Sequence, residues 1–318
     1  MNMPLHSGAF HLRHEFPVNG TLVLAKIREP DAVRRRRALR RVDREISKGN
    51  HKAALTLVKQ LQGKPGGLRG FGAAKQVHRR ISSLDELKLS GIDISYLQSL
   101  VDSILNSIER SIEFQLSEEV SVLELKSLMH SGSYESLCED HLMCMQHEAG
   151  HFLVGYLLGV LPKGYKVSNM EALRQEKFAR GRVEFLGFEF LRDIDTTKIL
   201  QNFSRGKLFD GANRGKISST TLNRFLCVIL GGLAAEQLVF GYSEGLHSDV
   251  EKLNRVLKWL GFTENEADSQ VKWAAVNTLL ILVRHEEARS RVAEAMALGK
   301  SVGSCIDIIE STLIDKEI

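Results

Sequence analysis

His147-Glu148-Ala149-Gly150-His151 sets two imidazoles four residues apart, with a carboxylate beside the first. On an α-helix, positions i and i+4 share a face, so both rings reach one cation and Glu148 is left to work on a water bound there. That is zinc hydrolase chemistry. Three protein ligands leave the fourth position to a water, the metal lowers the pKa of that water and polarises a peptide carbonyl, and the carboxylate takes and returns the proton. The flanks are uncharged, with Met145-Gln146 before and Phe152-Leu153-Val154 after. They place the histidines on an otherwise buried helix, where an unpaired polar ring is costly. Gly150 and Gly155 permit close approach of neighbouring backbone. His285-Glu286-Glu287-Ala288-Arg289 starts in the same way but has Arg at the second histidine position, and reads as a solvated helix face.

The third ligand has to come from farther along the chain, because Leu157 stands where the extended HExxHxxGxxH form has its last histidine. Two acids stand out. Glu236 is the lone acid in the apolar run LCVILGGLAAEQLVFG, and Asp249 opens a helix after the loop GYSEGLHSD. Alternatives stay open for each: Asp249 as an acid favoured by a helix dipole, His247 replacing it or assisting the oxyanion, and Glu236 as a buried acid paired with Arg224. Cys144, one turn before His147, is either a soft ligand or a core cysteine.

These residues need elements to hold them. A helix beginning near Ser136, whose spacing to Glu139 is that of a capping box, should run through the HEAGH sequence until Gly159 and Pro162 stop it. Before it, Ile94, Leu97, Val101, Ile104, Leu105, Ile108 and Ile112 make one apolar helical stripe, and Ser117 is placed to cap a further helix towards Met129. After it, Arg182 to Phe190 (RVEFLGFEF) is the best strand candidate, weakened by Gly187. Helices are expected from Thr221 to Phe240, from Asp249 to Leu260 with Gly261 as the stop, and from Glu264 to about Arg289 with a Thr263–Glu266 capping box. A short last helix covers Cys305 to Leu313. The fold class is mainly α with a short β element.

Upstream, Thr21 to Ile27 reads as a short strand. Arg34 to Lys59 reads as two helices broken at Gly49-Asn50, and Gly63 to Gly72 as a linker or loop. The net charge of +4 hides an asymmetry: residues 1–80 carry 18 Lys+Arg against 5 Asp+Glu, and the remainder 25 against 34. Arg34 to Arg37, Arg40, Arg41 and Arg44 repel one another on one helix, so they should seek an anionic surface: nucleic acid, acidic lipid or acidic protein. No aromatic residues are interleaved for base stacking. A composition of 43% hydrophobic and 26% charged residues over 318 positions excludes a collagenous, low-complexity or wholly disordered chain. Four scattered cysteines without a C-x-x-C pair point to a reducing, intracellular setting. No secretory leader is evident, and the apolar stretch Phe225 to Phe240, interrupted by Glu236 and Gln237, reads as a buried helix, with no transmembrane segment expected.

The order of these motifs is specific. HEAGH, followed by LGGLAAEQLVFG and then by a short loop, Ser248-Asp249 and an amphipathic helix, resembles the peptidase domain of the FtsH-type zinc metalloproteases over roughly residues 137 to 300. The resemblance implies a helical, zincin-like domain with zinc bound by His147, His151 and Asp249, and Glu148 as general base. It also implies Glu236 supporting the site from behind a ligand. Residues 1–80 would then be a basic N-terminal region, partly helical or flexible, 81–132 a helical connector and 133–318 the peptidase. Two features depart from the family: the aspartate is led by GLHSD rather than TGA-x-x-D, and no G-x-x-x-x-G-K-[ST] loop forms an ATP site. Gly211 to Ile217 comes nearest to that loop and reads as a turn.

The chain thus resembles the plant FtsH-like proteins that keep the peptidase without a working ATPase. That likeness implies a chloroplast setting, in the stroma or peripheral to the thylakoid membrane, a homo- or hetero-oligomeric assembly, and peptide or unfolded protein substrates, some delivered by a partner ATPase. Two other functions compete: a noncatalytic FtsH-like assembly or binding factor, and an adaptor acting through the basic arm.

Overall fold

The computed structural model describes residues 30–77, 95–117, 134–167, 181–194, 216–243, 246–314 and 318. The strand expected at Thr21 to Ile27, the helix expected after Ser117 and the turn at 211–215 lie outside them. The described residues are mainly helical, as the periodicity predicts.

The helix that carries HEAGH, α4 (Tyr134–Leu157), is the centre of the molecule. It starts before the expected Ser136 cap, which lies within it. Ala149, Phe152, Leu153, Val154, Tyr156 and Leu157 are all buried, so the helix is enclosed on every side rather than along one stripe. Fully burying an apolar side chain of this size is worth about 1.5–3 kcal/mol, which makes α4 the main apolar anchor of the core. The apolar run folds as two helices, α5 (Ser219–Ile229) and α6 (Gly231–Phe240), broken at Leu230. It is the one stretch among the described residues long and apolar enough to cross a membrane, and 78% of its most apolar window is buried within the protein.

α6 crosses α4 at contact distance because glycines meet there. A Cβ on Gly150 would lie 2.2 Å from the Gly231 carbonyl oxygen, and one on Gly231 would lie 2.9 Å from that of Gly150. Helix α3 (Ser95–Ser117) buries Leu97, Val101, Ile104 and Ile108 of the expected stripe, and packs on α6, α7 (Leu246–Trp259) and α8 (Glu264–Arg284). Thr263 and Glu266 form the expected capping box of α8. The long helix expected to run to Arg289 instead breaks at His285, and α9 (Glu286–Ala297) begins there. His285 and Arg289 are buried against the solvated face the sequence suggests, because α9 turns that side onto its neighbours.

The strand expected over Arg182 to Phe190 is shorter: β2 (Arg182–Phe185) pairs antiparallel with β1 (Pro162–Lys166). It stops before Gly187, which has φ +99°, and beyond that glycine Phe188 and Phe190 enter the core against Phe225. Gly155 makes room for β2, since a Cβ there would meet the Phe185 ring at 2.3 Å.

The N-terminal part is tied to the rest. Helices α1 (Asp31–Ser47) and α2 (His51–Leu61) are separated at Gly49-Asn50 as expected, and α1 lies on the last helix, α10 (Val302–Thr312). Buried Arg35 pairs with Asp307 at 2.6 Å, and Asp43 accepts from the Gly303 N–H at 2.7 Å. The glycine-rich segment Gly63 to Gly72 is a loop with a structural role. Its Arg69 and Gly70 N–H groups donate to buried Glu310 at 2.7 and 2.8 Å, and Tyr156 of α4 donates its hydroxyl to the same carboxylate. Burial and the neighbouring Glu310 charge hold the Tyr156 phenol well above its ordinary pKa, so it stays a donor. Gly72 and Ala74 N–H donate to the Tyr156 and Leu157 carbonyls, capping the end of α4. Farther on, Val77 bonds Asn277 and Trp273 of α8. Residues 30–77 are thus joined to α4, α8 and α10 rather than forming a separate arm.

Candidate metal centre

α4, α6 and the first turn of α7 bring five of the expected residues together: His147, Glu148, His151, Glu236 and Asp249. His147 Nε2, His151 Nε2 and Asp249 Oδ2 form a triangle with edges of 2.9, 2.9 and 3.0 Å, all three residues being buried. The partners behind the rings decide what this triangle is. His151 Nδ1 lies 2.6 Å from the Val228 carbonyl, which only accepts, so Nδ1 carries the proton and Nε2 a lone pair. Val228 sits in the last turn of α5, where carbonyls run out of helical partners. His147 Nδ1 lies 2.8 Å from Glu236 Oε1, and Ser243 donates its hydroxyl to the other Glu236 oxygen, so a neutral His147 ring carries its proton on Nδ1 and leaves Nε2 as a lone pair.

With both rings neutral, three acceptors point at one another within a dry interior. A shared positive charge makes such an arrangement favourable: a second proton on the His147 ring supplies one, and a metal ion held by the three residues is the other way to supply it. Ligand atoms bound tetrahedrally at about 2.0–2.1 Å from one ion stand roughly 3.3 Å apart, close to the edges observed. The pKa directions agree. Burial acts to pull His147 down, but the bonds to Asp249 and Glu236 and the nearby carboxylate charges overcome it and hold the ring well above its ordinary value. Burial acts to raise Asp249, and the two imidazoles instead hold it well below the carboxylate range. Both shifts say that the centre favours positive charge. Lys252, one turn along α7, donates to Asp249 Oδ1 at 3.0 Å and leaves Oδ2 to face the rings.

Glu148 stands beside the triangle. Its carboxyl is buried, Oε2 has no hydrogen-bond partner among the described residues, and burial pushes its pKa up against the pull of His147 and His151. The Gly181 backbone lies on it, since a Cβ there would sit 2.4 Å from Glu148 Oε1. Cys144 is half-buried and does not join the group. His247 falls in the first turn of α7, where its side chain lies outside the described residues.

Sequence reasoning names the three converging residues, Glu148 and Glu236, but misses Val228, Ser243, Lys252, Gly181 and Gly232. The last is the most telling, because a Cβ on Gly232 would lie 2.4 Å from His147 Nε2, so glycine there keeps the edge of the ring that faces His151 and Asp249 clear. Lys252 has a readable signal, standing three residues after Asp249 on the same helix face. Val228 has none, since it acts through its backbone. Compared with known proteins, the chain matches no family model, no curated protein and no solved structure.

Proposed function

We propose that the chain is a zinc-dependent metalloendopeptidase with a zincin-like, FtsH-type catalytic helix. The observation that carries the reading is the triangle of His147 Nε2, His151 Nε2 and Asp249 Oδ2, each turned inward by its outer partner, beside the desolvated carboxyl of Glu148. Two imidazole nitrogens and one carboxylate oxygen suit zinc with a position left for water and substrate. When bound, zinc lowers the pKa of a coordinated water towards neutrality and polarises a peptide carbonyl. Glu148, with its proton affinity raised by burial, takes the proton of the attacking water and passes it to the leaving amine. Glu236 and the Val228 carbonyl hold the two rings in their productive tautomers.

β2 starts next to the glycine that lies on Glu148, so an extended peptide added along this strand would run past the general base. With no nucleotide-binding loop in the sequence, the substrates proposed are peptides, unfolded proteins, or chains delivered by a partner ATPase. Oligomeric assembly and a plastid setting rest on the FtsH resemblance.

Zinc content and peptide cleavage test the reading together. Wild type should hold about one zinc per chain and cleave an unfolded substrate such as casein, His147→Ala should lose both, and Asp249→Asn should bind less zinc. Equal cleavage by wild type and Glu148→Gln, both loaded with zinc, would exclude it.

A further inference from the structure

We propose that the outer face of α1 binds the phosphodiester backbone of nucleic acid, without regard to base sequence. All the cations between Arg34 and Arg44 are arginines, and the fold uses only some of them. Arg34 pairs with Asp31 within α1, and Arg35 turns inward to Asp307 and Ser311, with Arg36 lying 3.4 Å from Asp307 Oδ2. Arg40, Arg41 and Arg44 are exposed and make no ion pair among the described residues. Like charges four residues apart weaken a helix. Among the described residues, no ion pair offsets that cost at these three positions.

Their layout matches a phosphate chain. Arg36, Arg40 and Arg44 follow one another at i+4, and Arg37 and Arg41 form a second such row beside them. Within each row the side chains start about 6 Å apart along the helix axis, close to the spacing of successive phosphates on a strand. Arg41 and Arg44 also edge an open groove of about 410 Å³ between α1 and α2, with Ala53, Thr56 and Leu57 along its other side. The acid on this groove, Glu45, is taken up by Asn50 at 2.9 Å, with Lys48 nearby. The surface therefore presents guanidinium forks, which pair bidentately with phosphate, and little competing negative charge.

A lipid bilayer fits less well. The apolar side of α1, Leu39 and Val42, is buried on the fold, so no apolar face is left to enter a membrane. Helices α1 and α2 hold no Phe, Tyr or Trp to stack on bases, which leaves backbone contact without sequence readout.

The test uses the full chain with a fluorescein-labelled, mixed-sequence DNA duplex and its RNA counterpart, followed by anisotropy over a salt series. Wild type should bind at low salt with affinity falling steeply as salt rises. The triple variant Arg40→Gln, Arg41→Gln, Arg44→Gln should bind at least about thirty-fold more weakly and lose about three from the log–log salt slope. Circular dichroism and thermal melting check that the variant keeps its fold. No binding by wild type, or an unchanged slope in the folded variant, would overturn the proposal. So would binding to phosphatidylserine-containing vesicles, or to an acidic polypeptide such as polyglutamate, without binding to either nucleic acid. The surface is independent of the metal centre, so its failure leaves the peptidase reading untouched.

Discussion

The candidate metal centre and the outer face of α1 treat charge in opposite ways. In the centre, the polar atoms of the triangle are each aimed: Glu236 and Val228 set the two rings, Lys252 takes the spare oxygen of Asp249, and the inner edges converge. On α1 the same kind of resource, a set of like charges, is left turned to water, and only Arg35 is drawn inside by Asp307. Burial explains the difference. In a low-dielectric interior an unmatched charge is expelled or neutralised, so a surviving cluster is organised around whatever completes it, whereas exposed arginines persist at little cost to the fold.

The contrast predicts that small changes in the centre are severe and large ones on α1 are mild. Glu148→Gln should keep zinc but lower peptide hydrolysis by about 10²–10⁴-fold, measured as turnover on an unfolded substrate with metal content checked in parallel. Gly232→Ala drives a methyl into the His147 ring. Zinc should be lost from a chain still helical by circular dichroism, at an overpacking cost of about 1–3 kcal/mol seen in urea unfolding. Glu310→Ala should destabilise by a similar 2–4 kcal/mol, since it strands two backbone N–H groups and the Tyr156 hydroxyl, yet retain zinc binding in the folded fraction. Glu236→Gln should weaken zinc affinity by about 10–100-fold in a competition assay with a chromophoric chelator, because a neutral amide orients the ring less well. Smallest of all, removing Arg40, Arg41 and Arg44 together should shift unfolding by no more than about 1 kcal/mol and towards greater stability, since like-charge repulsion is relieved. A large destabilisation there would erase the distinction between the two regions.

How far the sequence reveals this arrangement depends on the range of the interaction. Local signals succeed: the Thr263–Glu266 capping box, the apolar stripe of α3 and the helix stop at Gly261 are visible because the deciding contacts lie within one turn. The HEAGH spacing and the lone acids at Glu236 and Asp249 are visible because their residue types are out of place in apolar surroundings. Tertiary contacts decide the rest. Nothing local distinguishes Arg35, which is buried, from Arg36, which is exposed. The glycine run at Gly63 to Gly72 looks like a tether until Glu310 is seen to hold it. The break at His285 lies in a helix-favouring stretch, and β1, with its proline and glycine, carries no strand signal at all.

The Glu310 clamp also bears on the order in which the molecule is made. Its carboxylate reaches backbone groups 240 and 241 positions earlier in the chain, and α1, packed on α2, lacks its second neighbour until α10 is in place. During synthesis the first helices therefore wait, partly uncovered, while the HEAGH helix and its partners emerge. They dock only once the chain through Glu310 has left the ribosome. Closure over such a separation is slow, and it makes the α1–α10 contact a late step in maturation. A nascent chain halted before that helix should expose the arginine-rich pair to proteases and chaperones, whatever the state of the metal site.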